Sequence, residues 1–341
     1  MQSLGLSVLA ETGADRNLPL PKLNGSAHLR VAYAENPRFP PLADDQLRAI
    51  LEHSVVAVQQ HFGIRLSFAP LERVLLADLF HGIPARARAQ AEKERLDATT
   101  YEPTLERLAR QTLKDLRTDG NLYAQRAFAL PFLLPAPEDN SPLAFARALV
   151  ATQHGLLKTW ADSPALDGQP LLGPDRFNEY TWWLALGDTS MPYDLILTNQ
   201  LIASAEWSAN SVHSALRGGV SNGITTQSRR SQFKLFSVVS SFPFLDGAAQ
   251  TRRLRGEGSA PAETAATSNH YMGLMVAHEL GHLLLHLGHP FGNPQCVMTP
   301  PVRLAFRAWA TGLAADKCAL GASTANTPGV VKFTDPEALF K

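Results

Sequence analysis

The chain contains 341 residues, of which 45% are apolar and 18% charged, so it has enough apolar material for one large domain or for two smaller ones. Lys and Arg together number 31, and so do Asp and Glu, and this neutral balance argues against a nucleic-acid partner and an anionic membrane surface. No stretch approaches the roughly 18 consecutive apolar residues of a transmembrane helix, so we expect no membrane span.

The N-terminal region has the pattern of a strand–helix–strand unit. Residues 28–34 alternate between apolar and polar side chains, as a half-buried strand does, and residues 64–68 alternate in the same way. Between them, residues 44–61 show helical apolar spacing and are followed by Gly63, a typical helix terminator. Because a helix between two strands usually connects parallel neighbours, we predict a partly parallel sheet.

The middle of the chain is predicted to be helical. Residues 84–96, 102–118 and 142–160 have helical periodicity and many Arg, Glu and Ala, and proline-rich breaks separate them. We therefore interpret residues 71–190 as a large helical insertion.

Strands resume after this insertion, at residues 193–199 and 233–240. Between them, residues 217–231 are rich in glycine and polar side chains, which is typical of an exposed edge strand with irregular ends. Residues 247–269 contain few large apolar side chains and are predicted to form a mobile surface loop.

A nearly uninterrupted apolar segment, residues 270–289, follows this loop. It predicts a buried helix whose N-cap is Ser268. Inside it lie His278, Glu279 and His282 in the pattern H-E-x-x-H. Side chains four residues apart project from one face of a helix, so both imidazoles are able to reach one metal ion at about 2.0–2.1 Å.

Glu279 is the predicted catalytic residue of this motif. A carboxylate next to the first histidine is placed to accept a proton from a water that Zn²⁺ activates. A purely structural zinc site has no use for such a carboxylate, so Glu279 favours a zinc enzyme over the alternative of a non-catalytic zinc-binding protein. The predicted cofactor is Zn²⁺.

A catalytic zinc needs a third protein ligand, and we predict that it is His289. His289 directly follows Gly288, and glycine is the residue that most often ends a helix with a left-handed turn. A chain reversal there would return His289 beneath His282. The predicted ligand set is therefore His278, His282 and His289.

Two other sources of a third ligand remain open. His286 lies on the same helix face as His278 but about 12 Å further along the axis, too far for one metal on a straight helix. A distant carboxylate, Asp316 or Glu337, would make the chain a zinc hydrolase of the gluzincin kind. Against this second alternative, residues 303–315 contain no Glu.

A second motif follows the histidines. Met298 stands nine residues after His289 in the run Cys296-Val297-Met298-Thr299-Pro300. Together with H-E-x-x-H, this run resembles the metzincin clan of zinc peptidases, which carry H-E-x-x-H-x-x-G-x-x-H and a Met-containing turn beneath the zinc. The nearest pattern is that of archaemetzincins and similar bacterial proteins, which also place a Cys two residues before the Met.

The resemblance implies a fold and an activity. The implied fold is α+β, with a metzincin-like mixed twisted sheet, a buried zinc-binding helix and a Met-turn, to which the helical insertion is added. The implied activity is that of a zinc-dependent peptidase, an endopeptidase, whose peptide or protein substrate lies extended along an exposed strand edge.

The chain also departs from the family pattern. The family's Gly falls on Leu285 and its third His falls on Gly288, so the helix is expected to be longer and the third ligand to come one residue late. No Tyr follows Met298 closely, so a Tyr ligand is not expected.

The two cysteines, Cys296 and Cys318, are expected to form a disulfide. An apolar helix from Val302 to about Leu313 lies between them and is expected to pack back beneath the active site. A disulfide would hold the Met-turn and would favour export to an oxidising compartment, although residues 1–15 are a poor match to a signal peptide. Two buried free thiols are the alternative.

These predictions divide the chain into five consecutive parts. The parts are an irregular N-terminal tail (1–26), the N-terminal part of the catalytic domain (27–70), the helical insertion (71–190), the catalytic domain with zinc helix and Met-turn (191–320), and a C-terminal tail (321–341).

Overall fold

The computed structural model of the protein describes residues 25–85, 89, 102–118, 122–162, 168–169, 186–187, 189–200, 202–203, 216–221, 234–244, 264–285, 287, 289, 293–301, 305–315 and 317–318. This part of the chain has a mixed α/β fold with a mostly parallel main sheet and several helices, which is compatible with the predicted α+β class. Almost all of the predicted N-terminal tail, and all of the C-terminal one, lie outside the described residues.

The strands form one main sheet and two short pairs. They are β1 (Ser26–Leu29), β2 (Val31–Glu35), β3 (Arg65–Phe68), β4 (Glu72–Leu75), β5 (Leu195–Thr198), β6 (Ile202–Ala203), β7 (Leu216–Arg217), β8 (Gly219–Ser221) and β9 (Ser237–Ser240). The main sheet has five strands in the order β4-β2-β5-β9-β8. Its strands pair in parallel except β8, which is antiparallel to β9. Strand β8 lies at one edge of the sheet, and an edge strand was predicted for this glycine-rich segment. The short pairs are β1-β3 and β6-β7.

The helices are α1 (Asp44–Phe62), α2 (Leu76–His81), α3 (Leu105–Thr118), α4 (Leu122–Ala129), α5 (Pro142–Ala161), α6 (Ala265–Leu285) and α7 (Phe306–Gly312). The predicted helices over 44–61, 102–118 and 142–160 are confirmed, and Glu102–Thr104 forms a 3-10 turn before α3. Within the ranges given above, no helix is long and apolar enough to cross a membrane.

The N-terminal strand–helix–strand unit is present, with one correction. Strands β1 and β3 are parallel and are connected by α1, which Gly63 ends with a φ of 69°. The single strand predicted over 28–34 is wrong, because Arg30 separates β1 from β2. Its N–H donates to the Asp194 carboxylate at 2.7 Å, and its carbonyl accepts the Asp194 N–H at 2.8 Å. The chain therefore passes at Arg30 from the short β1-β3 pair into the main sheet.

Helices α3, α4 and α5 lie within the predicted insertion. Arg147 of α5 donates to both carboxylate oxygens of Glu106 on α3, at 2.8 and 2.9 Å. These helices share a small apolar core of Ala129, Leu133, Phe145, Ala146, Ala148 and Leu149. The helical character predicted for the whole range 71–190 is wrong for β4, which pairs with β2 in the main sheet. Most of the predicted helix 84–96 lies outside the described residues.

The larger core lies where α1 crosses α6. At the crossing, a methyl group on Gly273 would lie 2.5 Å from the Cβ of His53 and 3.1 Å from the backbone atoms Ile50 O and Ser54 N. Glycine therefore allows the two helices to approach this closely. On its other side α6 contacts the main sheet, where the Ser237 hydroxyl of β9 donates to the carbonyl of Glu279 at 3.1 Å. The predicted zinc helix is thus packed between α1 and the edge of the sheet.

Candidate metal centre

Helix α6 begins earlier than predicted. The Thr264 hydroxyl accepts a hydrogen bond from the Thr267 N–H at 3.2 Å, so Thr264 is the residue that caps the helix. The prediction of Ser268 as N-cap is wrong, because its N–H already donates to the Thr264 carbonyl at 2.9 Å. Residues 265–269 are therefore helical rather than part of a mobile loop, and residues 247–263 lie outside the described residues.

The central turns of α6 are buried on all sides, as its uniformly apolar sequence predicts. Every residue from 272 to 284 is buried. The polar side chains within this stretch are those of the motif, and His278, Glu279 and His282 are only 2%, 3% and 4% exposed. Polar groups buried in this way are costly unless they bind a partner, so the motif requires one.

Three histidines converge beside this helix. The Nε2 atoms of His278 and His282 lie 3.2 Å apart, and those of His282 and His289 lie 3.1 Å apart. The candidate ligand atoms of all three lie within 4.8 Å of one another, and His289 is 8% exposed. A tetrahedral ion at about 2.0–2.1 Å from two nitrogens would separate them by about 3.3–3.4 Å, which is close to the two Nε2 separations of 3.2 and 3.1 Å.

His289 reaches the other two through a short reversal of the chain. Helix α6 ends at Leu285, and the N–H of Leu287 donates back to the carbonyl of Gly281 at 3.3 Å. The predicted helix over 270–289 therefore ends earlier than expected, because Leu287 is no longer helical. Residues 286, 288 and 290 lie outside the described residues, so the role predicted for Gly288 and the alternative ligand His286 are not tested.

Backbone carbonyls orient two of the imidazoles. The Nδ1 atom of His278 lies 2.7 Å from the carbonyl oxygen of Val297, and that of His282 lies 2.5 Å from the carbonyl oxygen of Leu287. Because a carbonyl only accepts hydrogen bonds, each Nδ1 carries the proton, and in a neutral imidazole Nε2 then keeps its lone pair. Lone pairs that face one another repel, and a cation between them removes this repulsion. The donor set and its tautomers therefore fit a metal ion.

Met298 lies directly beneath the histidine helix. Its sulfur is in such close contact with Gly281 that a Cβ at this position would overlap it, and the same Cβ would lie 2.8 Å from Phe62 Cζ. The Met298 turn is held by backbone hydrogen bonds from Cys296 to Asn293, at 3.2 Å, and from Thr299 to Cys296, at 2.9 Å. Gly281, which lies between Glu279 and His282, thus allows the turn that contains Met298 to approach the helix closely.

The segment after this turn returns beneath the histidines, as predicted. The indole N–H of Trp309 on α7 donates to the carbonyl of Thr299 at 2.5 Å, and its ring centre lies 6.3 Å from that of His278. Cys296 and Cys318 are joined by a disulfide, with 4.7 Å between their Cα atoms. The turn is therefore held both by a hydrogen bond from α7 and by a covalent link.

The structure brings together three of the predicted site residues, His278, His282 and His289, and buries the fourth, Glu279, on the same helix. The alternative carboxylate ligands Asp316 and Glu337 lie outside the described residues. The carbonyls of Val297 and Leu287 were not predicted, because backbone atoms that orient a side chain leave no signal in the sequence. Comparison of the chain with protein-family models, with curated proteins and with solved structures finds no match.

Proposed function

We propose that the chain is a zinc-dependent peptidase with a metzincin-like catalytic core. The observation that carries the proposal is the convergence of His278, His282 and His289 on one helix end, together with the buried Glu279 that directly follows the first of them in the helix. Three protein ligands that leave one position open are typical of catalytic zinc sites, whereas structural zinc sites are closed by four.

The three imidazoles would hold the metal, and the protein around them would tune it. Imidazole nitrogens suit zinc, and the carbonyls of Val297 and Leu287 fix the orientation of two of the rings. When bound in such a site, zinc supplies a Lewis acid that lowers the pKa of water and polarises a carbonyl group.

Glu279 would act as the general base and then as the acid. Its carboxylate follows the first ligand in the helix and is buried, so it is placed to take a proton from the attacking water. The same group would deliver that proton to the departing amine of the cleaved peptide bond. Burial of the site excludes competing water and strengthens these electrostatic interactions.

Two further features support the metzincin-like core. Met298 contacts Gly281 from below the helix, in the place where a Met-turn belongs. Strand β8 is the antiparallel edge strand of the main sheet and lies next to α6. An extended peptide would bind along this edge through main-chain hydrogen bonds, which makes an unfolded protein the substrate of choice.

The first experiment measures metal and activity together. Purified protein should contain about one zinc ion per chain by elemental mass spectrometry. Glu279→Ala should keep this zinc and lose hydrolysis of an unfolded protein by about 100-fold or more. The matched control is His270→Ala, an exposed histidine on the same helix, which should keep both.

Each other outcome has a definite meaning. Full activity in Glu279→Ala would contradict the mechanism. Zinc at the expected ratio without hydrolysis of any unfolded protein or peptide would make the chain a non-catalytic zinc-binding protein.

A further inference from the structure

Two consecutive glycines place the edge strand against the histidine helix. A Cβ at Gly219, the first residue of β8, would lie 2.6 Å from both Cγ and Oε1 of Glu279 and 2.9 Å from its Cδ. A Cβ at the preceding Gly218 would instead lie 2.5 Å from the ring of Phe306 and 3.4 Å from Met275. The backbone at Gly219 therefore occupies the space immediately beside the carboxylate of Glu279.

The backbone conformation does not explain the glycine at position 219. The described glycines with a positive φ are Gly25, Gly63 and Gly168, and Gly219 is not among them. It pairs in regular antiparallel register with Val239 of β9. An alanine is able to adopt this backbone conformation. Glycine is therefore needed here because a methyl group would not fit beside Glu279, and not because of the backbone torsion angles.

We propose that Gly219 is a positioning residue, which leaves the space that the Glu279 carboxylate must occupy to act on the attacking water. This inference rests on the proposed peptidase function for its catalytic consequence. It goes beyond that function by assigning to the edge strand a role in setting the position of the general base, in addition to binding substrate.

Glu279, rather than the strand, would move if a methyl group were added. Strand β8 is held by its pairing with β9 and by the hydrogen bond between the hydroxyls of Ser237 and Ser221, at 3.0 Å. The atoms that the new methyl group would meet belong to the outer part of a side chain with several rotatable bonds. Gly219→Ala should therefore fold with its carboxylate rotated away from its present position.

The test compares Gly219→Ala with Gly218→Ala, which adds the same methyl group one residue earlier and toward Phe306. Crystal structures of both variants should show the Glu279 carboxylate displaced in the first and retained in the second. Gly219→Ala should keep its zinc and its KM for a peptide, while kcat falls about 100-fold, because a small misplacement of a catalytic group has an effect of this size. Gly218→Ala should lower the melting temperature through Phe306 but keep a kcat close to that of the natural chain.

A double variant separates the role of Gly219 from general damage to the fold. Gly219→Ala combined with Glu279→Ala should be no less active than Glu279→Ala alone, since the contact no longer exists. A carboxylate that stays in place in Gly219→Ala would overturn the inference, as would a large additional loss in the double variant. If Gly219→Ala does not fold, the double variant decides: recovery of folding supports the contact with Glu279, and failure to fold contradicts it.

The two proposals fail in different ways. If the natural chain cleaves no peptide, the proposed function is wrong, while the carboxylate position in the crystal structures still tests the role of Gly219. If the natural chain is a peptidase and Gly219→Ala is fully active with an unmoved carboxylate, only the inference about Gly219 is wrong.

Discussion

The Nδ1 atom of His278 lies 2.7 Å from the carbonyl oxygen of Val297, which is the residue between Cys296 and Met298. The first candidate ligand is therefore oriented by the same turn that a disulfide attaches to Cys318. This contact connects a covalent link, a backbone carbonyl and the imidazole of a candidate metal ligand, so the disulfide bears on the proposed metal site as well as on the fold.

Removal of the disulfide should weaken both stability and metal binding. The Cys296–Cys318 link closes a loop with a sequence separation of 22, which corresponds to about 3 kcal/mol in the chain-entropy model. A loosened Val297 carbonyl should weaken zinc affinity by about 10-fold, the lower end for loss of an orienting partner. Cys318→Ser should therefore show a lower melting temperature and faster loss of zinc to a chelator.

The control for this prediction is the response to a reducing agent. Reduction of the natural protein should reproduce the effects of Cys318→Ser and should have no effect on the variant itself. Alkylation of both cysteines in unreduced, denatured protein would contradict the disulfide and the prediction together.

The third ligand can be identified by histidine substitutions. His289→Ala should weaken zinc retention about as much as His282→Ala, because each removes one of three converging nitrogens. His286→Ala should weaken it much less, and His270→Ala, on the same helix but outside the cluster, should have no effect. Zinc content after dialysis against a chelator is the measurement, and zinc loss in His286→Ala with retention in His289→Ala would overturn the assignment.

The crossing of α1 and α6 gives a prediction about stability. Gly273→Ala should destabilise the protein by about 1–3 kcal/mol, because the new methyl group would meet the backbone of α1 and only a shift of a helix relieves the overlap. The matched control is Gly155→Ala on α5, where the added Cβ has no atom of the described residues within 4 Å apart from its chain neighbours and the backbone of its own helix. This variant should stabilise the protein by about 0.5–1 kcal/mol. Urea unfolding measures both, and equal effects would contradict the predicted difference.

Tyr33 should make stability depend on pH in alkaline solution. Burial raises the pKa of Tyr33 to about 12, while the hydrogen bond from the Leu42 N–H, at 2.9 Å, acts in the opposite direction. Because the folded-state pKa is above the unfolded value of about 10, the unfolded chain loses the proton first. The contribution to stability is therefore complete below about pH 10 and is lost as the pH rises toward 12.

The measurement is the midpoint of urea unfolding at pH 8 and at pH 11. Tyr33→Phe should be less stable than the natural protein at the lower pH, because the buried N–H of Leu42 loses its acceptor. Between pH 8 and pH 11, however, the unfolding midpoint of Tyr33→Phe should decrease less than that of the natural protein. An equal decrease in both proteins would rule out Tyr33 as the group responsible.

Local pattern alone predicted several of the helices and the side chains of the candidate site. Helical periodicity predicted α1, α3 and α5, and Gly63 marked the end of α1 with the left-handed φ that it adopts. The spacing of His278 and His282 determines by itself that both side chains project from one face of α6. The role of Gly288 in a chain reversal before His289 stays a prediction, because residue 288 lies outside the described residues.

Long-range contacts were decided only by the tertiary structure. The carbonyls of Val297 and Leu287 orient two of the candidate ligands, yet a carbonyl is common to every residue and its position depends on how the chain packs. In the same way, Arg30 ends a strand only because Asp194, distant in sequence, binds its N–H. Gly218 and Gly219 were visible in the sequence, but only the packing of this segment against α6 and α7 shows that Gly219 lies beside Glu279 and Gly218 beside Phe306. Sequence periodicity reports which face of an element is buried, whereas the partner of that face depends on contacts between residues far apart in the chain.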